Sequence, residues 1–435
     1  MNKYYHVTVL SNFSVGFDKY KRTYDKSLIK ESSYQGVFFL LNQDNLHIGV
    51  DKANNLLNKL AIPGNRLIVL QTQINSEKVL INDITSTKLG EYIKGSTIKV
   101  DQVHYLNDGQ LVERRIEDIV AMSYKMSQVN RQSYSKLVPR SLSFLPVAKG
   151  CQAKCAFCFS TASISSEQRK GSINETLMRS ALKKASAAGA LRAVITGGGE
   201  PGLLTVEIIG QIIRLCNEYV DKTVLITNGY SLVKDNDLSG TLRYFVNSGL
   251  SVLSVSRHHY DRTFNSKLMS LDIDSEVIAR SIIADSCSLV LRWVCVLQKG
   301  GIDSSDKLQK YIDWTFTLGI TQICFKELYV SSSSESVYFN QKANDWSYQN
   351  QVPLSLVIDM AEQQEWELVD KLPWGSPVYR VRRGEQSVTI AAYTEPSVSW
   401  ELANKQCRSW NVMSNGECFA SLESKDSIID IEEVA

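Results

Sequence analysis

Three cysteines crowd into one short stretch, Gly150-Cys151-Gln152-Ala153-Lys154-Cys155-Ala156-Phe157-Cys158. Six others, Cys216, Cys287, Cys295, Cys324, Cys407 and Cys418, are scattered singly, giving nine in all. An odd count without paired spacing does not read as a disulfide framework. Thiolates are soft ligands that select zinc, copper or iron–sulfur clusters. A structural zinc site usually takes four ligands, often from two Cys-x2-Cys pairs. Here there is no second pair, and no histidine lies close in sequence. Three ligands leave one coordination position open, which is the feature of a catalytic rather than a bracing site. A zinc site or a chance cluster is the plain alternative.

Other polar and glycine-rich segments recur at intervals after the cysteines. Thr196-Gly197-Gly198-Gly199-Glu200-Pro201 strings together glycines that let backbone groups approach a ligand closely. Thr227-Asn228-Gly229-Tyr230 reads as a tight turn. In Ser254-Val255-Ser256-Arg257-His258-His259, the two serines share one face of a strand by its two-residue period. His258 and His259 are expected in a solvated loop unless they touch a substrate. Arg292 lies inside the apolar run Leu291-Arg292-Trp293, a costly position unless the guanidinium is paired. Lys326 and Glu327 close a further apolar run and could pair with each other.

These segments need elements to hold them. Apolar runs at Leu142–Val147, Ala193–Thr196, Thr223–Thr227, Val252–Ser256, Ser288–Leu297 and Gln322–Phe325 read as strands. Between them Asn174–Ala188, Val206–Tyr219, Leu238–Ser248, Asp274–Asp285 and Ser305–Leu318 read as helices, with Thr205 as a cap and Gly319 as a stop. Six strand–helix steps imply a parallel α/β sheet with right-handed crossovers. In such sheets ligands bind beyond the carboxyl ends of the strands, which is where the chemistry-bearing segments fall.

The flanking regions differ. Residues 1–135 form an N-terminal, mostly-β accessory domain, with strands at Tyr4–Leu10, Gly36–Leu41 and Arg66–Gln73, a turn at Pro63-Gly64-Asn65 and a helix at Glu113–Met126. Residues 136–335 are the α/β core, and 336–435 an extension that caps it. The extension holds five of the seven tryptophans, a helix within Pro353–Leu368, and two hairpins, one turning near Gly384 and one at Asn415-Gly416. Its tryptophans are expected in the core, and the acidic end, Ser424–Ala435, is expected to fray.

Composition bounds the function. Lys+Arg number 48 against 46 Asp+Glu, a net charge of +2, which argues against a dedicated nucleic-acid binder. Hydrophobic residues are 43% and charged residues 22%, ordinary globular values. Apolar runs such as Val37–Leu41 are far shorter than the ~20 residues of a membrane span, and the N-terminal residues lack an apolar signal core. A cytoplasmic protein without membrane or nucleic-acid partners is expected.

The Cys-x3-Cys-x2-Cys spacing, with the aromatic Phe157 before the last cysteine, resembles the radical S-adenosylmethionine (radical SAM) superfamily. The resemblance implies a partial (βα)6 barrel in which Cys151, Cys155 and Cys158 hold one [4Fe–4S] cluster and the fourth iron binds SAM. It implies that Gly198, Gly199 and Glu200 hold the SAM amine, with Phe157, Asn228, Ser254, Ser256 and Arg292 as further cofactor contacts. It also implies a flavodoxin or ferredoxin reductant, and a 5′-deoxyadenosyl radical that abstracts hydrogen from a small metabolite or a ribosomal peptide. Cys407–Cys418 resembles part of the auxiliary-cluster (SPASM or twitch) extension of that superfamily, but has only two of the three or four cysteines such a cluster needs. The rivals are a non-enzymatic iron–sulfur or zinc module and a Rossmann dehydrogenase. The second is opposed by the lack of Gly-x-Gly-x-x-Gly spacing at Gly197–Glu200.

Overall fold

The computed structural model describes residues 2–10, 13, 16–18, 22–25, 39–41, 46–59, 67–74, 97–107, 110–126, 136–148, 150–158, 174–285, 288–330, 341–396, 398–422 and 427–431. The turn at 63–65, the start of the 36–41 run and Cys287 lie outside the described residues. The chain divides into two compact units, Met1–Arg131 and Gln132–Ala435.

The first unit holds a five-stranded antiparallel sheet ordered Phe39–Leu41, Asn2–Val9, Leu67–Ile74, Gln102–Asn107, Gln110–Arg114. Alternation puts Ile68, Leu70 and Val103 into a core with Leu10, Phe13, Ile116 and Ile119. The helix expected from Glu113 begins instead at Ile116. Glu113 is held extended because its strand pairs with Gln102–Asn107, so sheet pairing overrides local helical period.

The second unit is α/β. Besides a short pair of strands at Val138–Pro139 and Gln406–Cys407, its strands are β1 (Leu142–Leu145), β2 (Ala193–Ile195), β3 (Thr223–Thr227), β4 (Leu250–Ser256), β5 (Val290–Leu297), β6 (Gln322–Glu327), β7 (Glu367–Lys371), β8 (Pro377–Arg383), β9 (Gln386–Tyr393), β10 (Trp410–Met413) and β11 (Cys418–Phe419). The numbered strands form one sheet in the order β7-β8-β9-β6-β5-β4-β3-β2-β1-β10-β11. From β9 through β10 every neighbouring pair is parallel. The antiparallel pairs are β7–β8, β8–β9 and β10–β11. The C-terminal segment therefore extends the sheet at both edges. Both expected hairpins are present, with Gly384 at φ +57° and Gly416 at φ +95° taking the left-handed turn positions.

Helices α1 (Glu175–Ala188), α2 (Val206–Asn217), α3 (Leu238–Asn247), α4 (Arg262–Met269), α5 (Glu276–Ala284) and α6 (Ser305–Thr317) join consecutive strands from β1 to β6. Sequence chemistry sets their ends. Asn174 Oδ1 accepts from Leu177 N at 3.1 Å, Thr205 caps α2, and Gly319 at φ +63° follows α6. Strand β5 shows which face these helices cover. Leu291, Trp293, Cys295 and Leu297 are buried, while Val290, Arg292, Val294 and Val296 keep part of their surface accessible. Trp293 stacks on Trp314 of α6 at 5.9 Å, and Phe325 of β6 meets Tyr311 of α6 edge-on. Sealing each such side chain against a helix stabilises the layer by about 2–3 kcal/mol. At β5 one face is thus dry and the other partly accessible.

The chain end departs from expectation. Rather than fraying, residues 427–431 fold back: Ile428 bridges to Phe419, and Ile429 and Ile431 are buried. Alternating isoleucines in this acidic segment supply the apolar anchor.

Candidate functional site

The cysteine loop follows β1 and is held by three neighbours. Backbone amides of Gly199 and Glu200 donate to the carbonyls of Val147 and Gly150, at 2.7 and 2.8 Å, tying the glycine turn beneath the cysteines. Lys154 N donates to the Met269 carbonyl at the end of α4, at 2.8 Å, and Cys155 packs with Ala153 against Met269, Leu271 and Ile273. The turn after β3 supplies the third tie. Asn228 Nδ2 donates to Cys151 Sγ at 3.3 Å and to Gln152 Oε1 at 3.1 Å.

The glycine turn requires glycine for steric reasons. A Cβ on Gly197 would lie 1.4 Å from the Gly199 carbonyl oxygen. Glu200 is buried and fully engaged by protein donors. Its Oε1 accepts from Gly202 N at 3.0 Å and from the Thr227 hydroxyl, and its Oε2 accepts from Asn228 N at 2.8 Å. Burial raises its pKa, against those three hydrogen bonds, which lower it. Expected as a grip on the cofactor amine, this carboxylate also serves as a strut between the glycine turn and the Asn228 turn. Gly198 and Gly199 are buried in the same turn.

The three thiols are free. Cys151 Sγ accepts from both Asn228 Nδ2 and Ala153 N, the latter at 3.4 Å, a pattern suited to a thiolate. Burial and the neighbouring Cys158 and Cys151 push the Cys155 thiol up to about 12. Burial also raises Cys151. Taking iron would therefore release protons here. Among the described residues no three His, Cys, Asp or Glu side chains close on a point that would hold one metal ion. The donor set fits a four-iron cluster on its chemistry: three free thiols on one loop, with N–H donors aimed at sulfur.

Phe157 meets the His258 ring edge-on at 5.1 Å and lies 6.1 Å from Trp346 on helix α7 (Gln341–Asn350). His258 is no solvated loop residue. Its Nδ1 accepts from Val296 N at 3.1 Å, so the proton of the neutral ring sits on Nε2. Burial, with the Arg257 charge nearby, lowers its pKa to about 3. His259 is buried too, its Nδ1 accepting from Asp261 N at 3.0 Å. Neither Trp346 nor His258 could be assigned to this site from sequence, because only the fold brings them to Phe157.

Ser254 and Ser256 lie on the open face of β4. Ser254 Oγ is buried without a partner. Arg292 does not join the cysteines. Its guanidinium donates to Gln322 Oε1 at 2.9 and 3.1 Å, and Gln322 is the first residue of β6. That places it towards the amino ends of parallel strands whose carboxyl ends lead to the cysteine loop. Lys326 pairs with Glu395 at 3.2 Å rather than with Glu327. Cys407 and Cys418 are buried, and burial raises both thiols, Cys418 to about 12. Trp374 and Trp410 are core residues as expected.

Residues 141–249, which contain the cysteine loop, the glycine turn and the Asn228 turn, match the family model of the 4Fe-4S single cluster domain. That stretch is similar to a 4Fe–4S domain. No curated protein matches the chain. Among solved structures it is similar to SuiB of Streptococcus suis bound to the precursor peptide SuiA, at 16% identity over 73% of this chain and 67% of that one, with a TM-score of 0.44. It is also similar to the radical SAM enzyme coproporphyrinogen III oxidase (HemN) of Escherichia coli, at 10% identity over 55% of each chain, with a TM-score of 0.34. No helix among the described residues is long and apolar enough to cross a membrane.

Proposed function

We propose that this chain is a radical SAM enzyme acting on a small metabolite or a ribosomal peptide. Cys151, Cys155 and Cys158 hold one [4Fe–4S] cluster, and SAM lies against the glycine turn, Asn228, Phe157 and the open ends of β4, where Ser254 and Ser256 stand. When bound, the reduced cluster supplies the electron that cleaves SAM to a 5′-deoxyadenosyl radical, which abstracts a substrate hydrogen. Flavodoxin or ferredoxin is the electron donor in this reading. The fold is read as a partial (βα)6 barrel whose open face is the substrate side.

The observation that carries the proposal is the convergence on Asn228. Its backbone N–H binds Glu200 of the glycine turn, and its side chain binds Cys151. Three segments far apart in sequence are thereby locked into one rim. The residues divide the work simply. Glu200 fixes the spacing of the two turns, and Asn228 directs an N–H at a ligand sulfur, which favours its thiolate form. Phe157 and Trp346 form an apolar wall that excludes water from a reactive centre.

The test is anaerobic. The chain is reconstituted with iron and sulfide, iron is counted, and dithionite and SAM are added. About four irons per chain, with 5′-deoxyadenosine formed, is the expected result. Stoichiometric zinc without SAM cleavage would overturn it and leave a non-enzymatic metal-binding module.

A further inference from the structure

We propose that the open face of the sheet carries, at the amino ends of its strands, a binding site for a small oxyanion, the phosphate or carboxylate group of a metabolite. Four adjacent strands are each preceded by a cation. Arg408 precedes β10, Arg140 precedes β1, and Arg192 and Lys222 stand immediately before β2 and β3. Backbone bonds hold this row together: Arg140 N to the Cys407 carbonyl, Leu191 N to the Arg140 carbonyl and Ala193 N to the Lys222 carbonyl, at 3.1, 3.1 and 2.9 Å. Ala193 and Thr223 are fully buried on the helix-covered side, so alternation turns Arg192 and Lys222 towards the open side. Arg292 reaches the same region from β5.

The charges in this row are unequal. Glu395 accepts from Arg408 at 2.9 Å, Lys326 at 3.2 Å and the Tyr393 hydroxyl at 2.8 Å, so it is already shared. Arg292 has only the neutral Gln322. Among the described residues the Arg192 and Lys222 side chains have no hydrogen bond or ion pair, and Arg140 Nε is buried without a partner. Partial burial pushes the pKa of both Arg192 and Lys222 down. The like charges of Arg140 and Arg292 add to this at Arg192, and those of Arg292 and Arg192 at Lys222. Half-desolvated like charges are costly without a counter-ion, and an oxyanion relieves that cost. Guanidinium forks match the geometry of phosphate and carboxylate oxygens. Val194, Ile226, Val290 and Val294 on this face keep part of their surface accessible, while Ser143, Val224, Val252 and Ser254 between them are buried.

Arg192 and Lys222 lie at the opposite strand ends from the cysteines, while Arg408 reaches Glu395 beyond the carboxyl end of β9, and anion binding there does not depend on the cluster. It is tested on the full chain, with and without iron, by calorimetric titration of inorganic phosphate and, separately, succinate at fixed ionic strength. At least one anion is expected to bind in both preparations. Arg192→Gln or Lys222→Gln is expected to weaken that anion about tenfold, the effect of one charge-assisted contact. Lys310→Gln, on exposed α6, is expected to leave it unchanged. Phosphate binding alone assigns a phosphoryl group, and succinate binding alone a carboxylate. Failure of both anions to bind, or equal weakening by Lys310→Gln, overturns the proposal.

Discussion

Replacing Glu200 by alanine separates a strut from a ligand contact. The wild-type carboxylate accepts from Asn228 N at 2.8 Å, Gly202 N at 3.0 Å and the Thr227 hydroxyl. Alanine leaves the buried Asn228 N–H without an acceptor, at about 1–3 kcal/mol, and the half-buried Gly202 N–H at less. The Thr227 hydroxyl can turn away, and removal of a buried carboxylate returns part of the loss. The net destabilisation is about 2–4 kcal/mol. In a unit of this size that lowers Tm by roughly 3–6 °C. Glu200→Gln keeps the shape and one acceptor, so it falls between. The assay is thermal unfolding by near-UV circular dichroism of the cluster-free chain, with SAM affinity measured on the reconstituted chain. A Glu200→Ala variant that melts within about 1 °C of wild type yet loses SAM binding would refute the strut and leave a direct contact with the cofactor.

Other outcomes are expected. Cys155→Ala abolishes the iron–sulfur absorbance and 5′-deoxyadenosine formation, and retained SAM cleavage would contradict the ligand assignment. Asn228→Ala still accepts iron but loses it to a chelator about tenfold faster, by analogy with other hydrogen bonds that orient metal ligands, and an unchanged loss rate would remove Asn228 from the site. Two carboxylates set opposing pH dependences of stability. Burial, against the Arg408 N–H bond, raises Glu401 to about 7, so the native state keeps its proton after the unfolded chain has lost it near 4.5. Stability from this group is full below that value and falls by about 3 kcal/mol as pH rises to its native pKa. Urea unfolding at pH ~5 and ~7.5 should show the fall, and Glu401→Gln should remove it. For Glu395, burial is outweighed by Arg408, Lys326 and the Tyr393 hydroxyl, which hold it at about 2. Its contribution is present above about 4.5 and lost as pH falls towards 2, and Glu395→Gln should flatten the acid limb of the same curve.

Local chemistry determined much of this protein. The cysteine spacing, the triple glycine and the Asn228 turn can be read one segment at a time. So can the strand and helix runs from β1 to α6, because side-chain period and capping are short-range properties. What the sequence could not decide were contacts between distant segments. That Glu200 braces the fold shows only where the Asn228 and Gly202 amides meet its oxygens. That Arg292 lies towards the far strand ends and meets Gln322 follows only from the direction of β5 and its pairing with β6. His258 and Trp346 became neighbours of Phe157 only when β4 and α7 came together. The cation row before β10, β1, β2 and β3 is scattered through the sequence and adjacent only in the sheet. Whether a charged group binds a ligand or braces the fold depends on which partners reach it first, and the packing of the sheet and its helices decides that.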